Sequence, residues 1–476
     1  LNTLARLRSK IVNVKTRELL RGDKDPIVRA NAARVLGAAE DKEALDLLLN
    51  AATKDADSRV RVSAIRALGS LKEASVAENL IPGPAHLAAN AAASAVCKAT
   101  NSPTITASTQ ILCQEFRNEY LEIAAVLGRL LPNTNNQKAV EFLTKFSELD
   151  EYKSPEIEIA FAQVAPSKFD EYQKNKRDNL KRTPQAVSAT MQGISELAKV
   201  ADTDEIKAIK ETAKREVLKY ITAQMVNNKK QDITLSGAIN AYSALKGENL
   251  IEVLHNALKH KDSIVRAAAA GLLANQPVSK ENIETLNKAF DYAFLNDKSD
   301  NDAQLAILDA LFKLDKKEAI PSLFTATVSK DYLVRKRAFT LLKDESYKDS
   351  ELVKITLEKF TASKKNQVLS YSYGSKLGQI TNTNADYIRA VSRKNGTVKA
   401  FFTTAKGSFT INLTPEDAPL TVDNFIKLAK SNYFNGLSVH RVVPNFVMQD
   451  GDPRGDGSGG PGWSIRCEVN TLEYGR

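Results

Sequence analysis

The groups able to do chemistry in this 476-residue sequence are few: four histidines, three cysteines and one polar, Gly-rich stretch near the C-terminus. His86, His255 and His260 sit without Cys, Asp or Glu at metal-ligand spacing, so satisfied or exposed imidazoles are expected and no metal site. Cys97, Cys113 and Cys467 make neither a disulfide framework nor a zinc site. Cys97 and Cys113 can pair in an oxidising compartment, but two buried thiols are the favoured reading. The remaining stretch reads His440-Arg441-Val442-Val443-Pro444-Asn445-Phe446-Val447-Met448-Gln449-Asp450-Gly451-Asp452, followed by a Gly-rich loop over 455–462. That loop lacks the lysine and the helix that a phosphate-binding loop needs, so nucleotide chemistry does not follow from it.

The elements around this stretch are short and alternating. Val398–Thr404, a turn at Ala405-Lys406-Gly407 and Ser408–Leu413 read as a β-hairpin, with Phe409, Ile411 and Leu413 on one face. Pro415 and Pro419 end the strand. Thr421–Lys430 is then an amphipathic helix expected to bury Val422, Phe425, Ile426 and Ala429, with Asp423 near its N-terminus.

Taken together with Pro415-Glu416-Asp417-Ala418-Pro419, Thr421-Val422, Asn424-Phe425 and Tyr433-Phe434-Asn435-Gly436-Leu437, the 440–462 stretch resembles the cyclophilin family of peptidyl-prolyl isomerases. By that resemblance Arg441 corresponds to the catalytic arginine. Phe446 and Val447 correspond to walls of the proline pocket, and Gln449 to the side chain that binds substrate backbone. His440 takes a supporting place beside the arginine. Two positions depart from the pattern, Val439 for a usual Phe and Asp450 for a common Gly. The resemblance implies no cofactor. It covers residues 397–476, about the N-terminal half of such a β-barrel domain, and the native chain is expected to continue beyond Arg476.

The rest of the sequence is helical and repetitive. Residues 25–37 read Asp-Pro-Ile-Val-Arg-Ala-Asn-Ala-Ala-Arg-Val-Leu-Gly, and Val28, Arg29, Ala32, Leu36 and Gly37 recur 32 places later as Val60, Arg61, Ala64, Leu68 and Gly69. Val265, Arg266, Ala269 and Leu273 repeat the pattern, as do Val334, Arg335, Ala338 and Leu342, with a weaker copy at Ala303, Ile307 and Leu311. This signature resembles HEAT and PBS-lyase-type HEAT repeats, clearest over 23–70 and 262–342, and predicts an all-α solenoid. Asp25 and Asp57 are expected to cap their helices, Pro26 to start one, and Gly37 and Gly69 to end them in a left-handed turn. Ala44–Ala52 and Ile251–Leu258 supply paired helices. Each repeat's Arg is expected to bond an Asp of the neighbouring repeat. Between about 100 and 250 the repeat is illegible although helical periodicity persists, as in Phe142-Leu143-Phe146 and Ile194-Leu197-Ala198. Ile81–Thr100 reads as an interruption.

The predicted organisation is therefore multidomain: a HEAT-like array over 1–364, a linker or array exit over 365–396, and a cyclophilin-like segment over 397–476. Its composition, 43% apolar and 26% charged, is that of a folded protein, with no apolar run long enough to span a membrane. The net charge is +10, and residues 397–476 hold 8 Lys+Arg and 8 Asp+Glu, so the excess lies on the array. Spread over almost 400 residues, without a dense basic run, it argues against nucleic acid as a partner. The expected function is prolyl isomerisation in protein folding, with the array holding proline-containing protein clients or docking in a larger envelope assembly. The alternative is a scaffold subunit whose cyclophilin fold only binds peptide. The periplasm or cell envelope is the expected location, with the cytoplasm as the alternative.

Overall fold

The computed structural model describes residues 5, 7–8, 10–83, 107–149, 154–177, 183–297, 300–362, 382–405, 407–443, 447–463, 465 and 467–468. These pack as two compact units: one of residues 1–223, 233–248 and 441–448, the other of residues 224–232, 249–440 and 449–476. No helix among the described residues is long and apolar enough to cross a membrane.

In the first unit the repeat helices stack in sequence. Pro26–Ala38 packs on Ser58–Leu71, which packs on Ala107–Leu130; that helix meets Pro155–Val164, then Pro184–Leu197 and Leu235–Ala244. The stack thus runs on through the region where the repeat is illegible in sequence. Phe142, Leu143, Phe146, Ile194 and Leu197 are buried there as their periodicity predicts. In the second unit Ser263–Leu273, Asp302–Leu314 and Tyr332–Leu342 stack likewise. Val265, Ala269, Leu273, Ala303, Ile307, Leu311, Val334 and Ala338 are fully enclosed along one helical face. Helices Leu45–Lys54 and Leu250–Ala257 are the expected paired elements.

Local chemistry sets the helix starts. The side chains of Asp25, Asp57, Asp262 and Asp331 each accept from a backbone N–H of the first turn, and Pro26 sits where no N–H is needed. Each such cap stabilises its helix by about 1 kcal/mol.

The glycines do something other than expected. Gly37 lies within its helix, which runs to Ala38, and Gly69 within a helix that runs to Leu71. The left-handed residues that follow are Glu40 and Lys72, with φ of 51° and 58°. A Cβ on Gly37 would lie 2.7 Å from the Ala67 backbone, and one on Gly69 would lie 2.9 Å from Val126. Gly128 stands as close to the next helix in the stack, against Gln163 and Ala160, and Gly193 to preceding helices, against Phe169 and Glu158. Absence of a side chain, not a left-handed backbone, is what these positions require, because it lets successive helices approach closely.

The arginine ladder is present and has two sides. Inward, one guanidinium nitrogen donates to carbonyls six and five residues back: Arg61 to Asp55 and Ala56 (2.8 and 3.0 Å), Arg266 to His260 and Lys261 (2.6 and 3.0 Å), and Arg335 to Ser329 and Lys330 (2.8 and 3.0 Å). These bonds tie off carbonyls in the turn before the helix. Outward, Arg29 grips Asp55 (2.9 and 2.8 Å) and Arg266 grips Asp297 (2.6 and 2.6 Å) in the neighbouring repeat, whereas Arg61 finds Glu119 rather than an Asp. Arg266 is wholly buried.

In the C-terminal segment β1 (Val398–Thr404) and β2 (Gly407–Leu413) form the expected antiparallel hairpin, Val398 opposite Leu413 and Phe402 opposite Phe409. Phe402 stacks on Phe409 at 4.7 Å and lies 6.2 Å from Phe425 of helix Pro419–Lys430. That helix buries Leu420, Val422, Asp423 and Leu428, while of the other residues expected inside Phe425 and Ile426 are half-buried and Ala429 is exposed. Its inner face is rotated because Asp423 is held by charge and Leu428 takes the apolar place. Among the described residues the strands make two two-stranded sheets, β1 with β2 and the short β3 (Arg441–Val443) with β4 (Val447–Gln449).

Candidate active site

Of the five residues singled out, four are described; Phe446 lies outside the described residues, as do its neighbours Pro444 and Asn445. Arg441 opens β3 and is exposed. Val447 and Gln449 begin and end β4, and both are half-buried. Between the strand ends the His440 amide donates to the Gln449 carbonyl at 3.2 Å. The half-buried His440 ring has no hydrogen-bond partner at either nitrogen among the described residues.

The loop after β4 is built around one carboxylate. Asp452 is 6% exposed and accepts from the backbone N–H groups of Arg454, Asp456 and Gly457 at 2.7, 3.0 and 2.5 Å. Burial alone would raise its pKa, yet these backbone donors hold it below the ordinary carboxylate value. The path needs Gly451, Gly455 and Gly457 at φ of 90°, 73° and 89°, a region closed to most side chains. A Cβ on Gly459 would fall 2.0 Å from the Asp452 carboxylate. The Gly-rich stretch therefore begins as a carboxylate-centred turn, in which the N–H groups of Arg454, Asp456 and Gly457 face Asp452. Tyr433 fixes its start by donating its hydroxyl to the Gly451 carbonyl at 2.8 Å.

Further contacts hold the supporting helix. Glu468 accepts from the N–H groups of Leu420 and Thr421 at 2.9 and 2.8 Å, placing a carboxylate at the positive end of helix Pro419–Lys430. Trp463 donates its ring N–H to Asn424 at 2.9 Å. Asp423 is ringed by Arg389 (2.8 Å), Arg393 (2.9 Å) and Lys427 (3.3 Å). The hydrogen bond from Arg389, with those of Arg393 and Lys427, brings its pKa down to about 2. Arg389 belongs to helix Asn384–Val391, which packs on Pro419–Lys430. The start of this helix is marked in the sequence by Thr383 and Asp386, which form a reciprocal capping box. Arg454 and Asp452 carry no role in the sequence reading; the one signal for them is that they are charged residues placed among glycines.

The histidines of the array have local roles. His255 shares a 2.7 Å hydrogen bond with Asn282, and buried His260 accepts from the Asp262 N–H at 3.1 Å through Nδ1. Burial lowers the His260 pKa. His86 and Cys97 lie outside the described residues, and Cys467 is an exposed free thiol.

Two family models match the chain: cyclophilin type peptidyl-prolyl cis-trans isomerase over residues 400–472, and HEAT repeats over residues 14–96. Among similar proteins, a peptidyl-prolyl cis-trans isomerase of Synechococcus elongatus is 46% identical over 72 residues, 15% of this chain and 50% of the relative. One from Helicobacter pylori is 49% identical over 73 residues, 15% of this chain and 45% of the relative. Peptidyl-prolyl cis-trans isomerase B of Bacillus subtilis is 57% identical over 57 residues, 12% of this chain and 40% of the relative. The chain thus spans half or less of the length of these relatives. It carries HEAT repeats followed by a cyclophilin-type segment.

Proposed function

We propose that the protein is a peptidyl-prolyl cis-trans isomerase that assists folding, with its repeat array serving to hold proline-containing clients. The observation that carries this reading is the cyclophilin-type match over 400–472 with Arg441 and Gln449 at the ends of two paired strands. Rotation about an X–Pro bond is slow, about tens to hundreds of seconds, because it breaks amide resonance. A guanidinium that donates to the prolyl nitrogen as it becomes pyramidal favours the twisted state over either planar one, and this lowers the barrier without a nucleophile. Arg441 is exposed and so accessible to a peptide. It keeps its charge at any working pH and offers a fixed fork of donors. In this reading Gln449 holds the substrate backbone, Phe446 and Val447 wall the proline ring, and His440 packs behind the arginine.

The experiment is isomerisation of a proline-containing peptide by the native protein, followed by exchange spectroscopy or a protease-coupled assay. Turnover that disappears in a folded Arg441→Ala protein supports the reading. Proline-peptide binding with no turnover in the wild type would replace it with the scaffold alternative, and neither binding nor turnover would remove both.

A further inference from the structure

The Gly-rich loop makes one contact that neither isomerisation nor repeat stacking requires. Arg454, only 7% exposed at its side chain, donates from Nη1 to Oδ2 of Asp262 at 2.8 Å. Asp262 is the N-cap of helix Ser263–Leu273 in the repeat array and is fully buried. Its carboxylate already accepts from the N–H groups of Ile264 at 2.9 Å and Asp232 at 2.5 Å. On the loop side, Arg454 Nε pairs with Asp456 at 3.1 Å, while its Nη2 is buried with no hydrogen-bond partner among the described residues. The surroundings suit a cation. Asp302 bonds through its N–H to Asp300 at 2.9 Å; burial and Asp300 push the Asp302 carboxyl up to about 7, with the Arg454 guanidinium acting against them.

We propose that Arg454 is an intramolecular latch, holding the Gly-rich loop of the isomerase-like segment on the repeat array through the Asp262 cap. Asp262 then serves two elements: it starts an array helix and receives the loop. A buried charge pair of this kind is strongly disfavoured when one partner is removed, because the other charge remains buried and unpaired. The loop end of β4 is held with it, since Gln449 stands five residues before Arg454. That consequence rests on the isomerase reading; the latch itself does not.

The test is hydrogen–deuterium exchange on the whole chain, read at residues 451–460 and 260–266, for Asp262→Asn, Arg454→Ala and the double variant. Asn keeps the helix cap and removes the charge. The latch predicts that Asp262→Asn raises exchange in the loop by roughly 10-fold, though the two lie 192 positions apart. It also predicts that the double variant adds little to either single change. Unchanged loop protection in Asp262→Asn, or full additivity, overturns it. If Arg454 acts only on Asp456 within its own loop, Arg454→Ala loosens the loop and Asp262→Asn does not. Should Asp262→Asn lower the unfolding midpoint, Arg454→Gln read at 260–266 decides instead: raised exchange there supports the latch and unchanged exchange rejects it. None of these readouts depends on turnover, so a protein without isomerase activity leaves the latch open to the same test.

Discussion

Arg266 and Arg441 are the same side chain in opposite surroundings. In the array Arg266 is fully enclosed, with bonds to two carbonyls and to both oxygens of Asp297. In the C-terminal segment Arg441 stands exposed at the head of a three-residue strand. The apolar groups invert in the same way. Array residues such as Val265 and Ile307 are wholly buried, whereas Phe401 is 78% exposed and Val442 and Met448 about half so. A repeat array uses its charges to fix geometry and offers shape as its contribution to function. In the segment after it, the described strands leave Arg441 and several apolar side chains exposed.

The largest effect should come from the array side. Arg266→Ala leaves Asp297 charged with a side chain only 10% exposed and is expected to cost about 3–5 kcal/mol of stability, seen as a lower denaturant midpoint. A loss below about 1 kcal/mol would mean that the ladder contributes little. On the other side, Arg441→Ala is expected to reduce isomerisation about 100-fold with an unchanged midpoint. Arg441→Lys should recover little of it, because a point charge does not reproduce the planar fork. If both arginines affect stability and neither affects rate, the contrast between the regions fails. Gly37→Val sharpens it further. The new side chain meets the Ala67 backbone, so about 1–3 kcal/mol should be lost by overpacking although the helix itself is not broken.

The smallest effect is a pH dependence confined to the C-terminal segment. The folded pKa of Asp423 is lowered to about 2 by Arg389, Arg393 and Lys427, below its unfolded value near 3.8. Its contribution is therefore fully present above about pH 4 and is lost as pH falls toward 2. After allowance for the exposed arginine, this amounts to roughly 1 kcal/mol. Asp423→Asn should remove that slope between pH 4 and 2 in thermal unfolding. An unchanged slope would show that the cluster is solvated in the native state.

Helix caps, buried faces and the β-hairpin were legible in the sequence because each is decided within a few residues. Asp25 caps a helix two positions away, and Val265, Ala269 and Leu273 share a face whatever lies beyond it. The motif around Arg441 was legible for a related reason: its residues are contiguous in the chain. The tertiary structure decided what depends on partners far away in sequence. It put Gly37 against Ala67 and turned an expected helix end into a packing contact. It gave Arg61 a glutamate 58 residues on, drew Asp423 inward under three cations, and set Arg454 against Asp262. Local spacing fixes what a residue can reach along its own element. Only the packing of elements fixes which charge or backbone it meets, since the energy of a buried pair depends on the partner that folding brings to it.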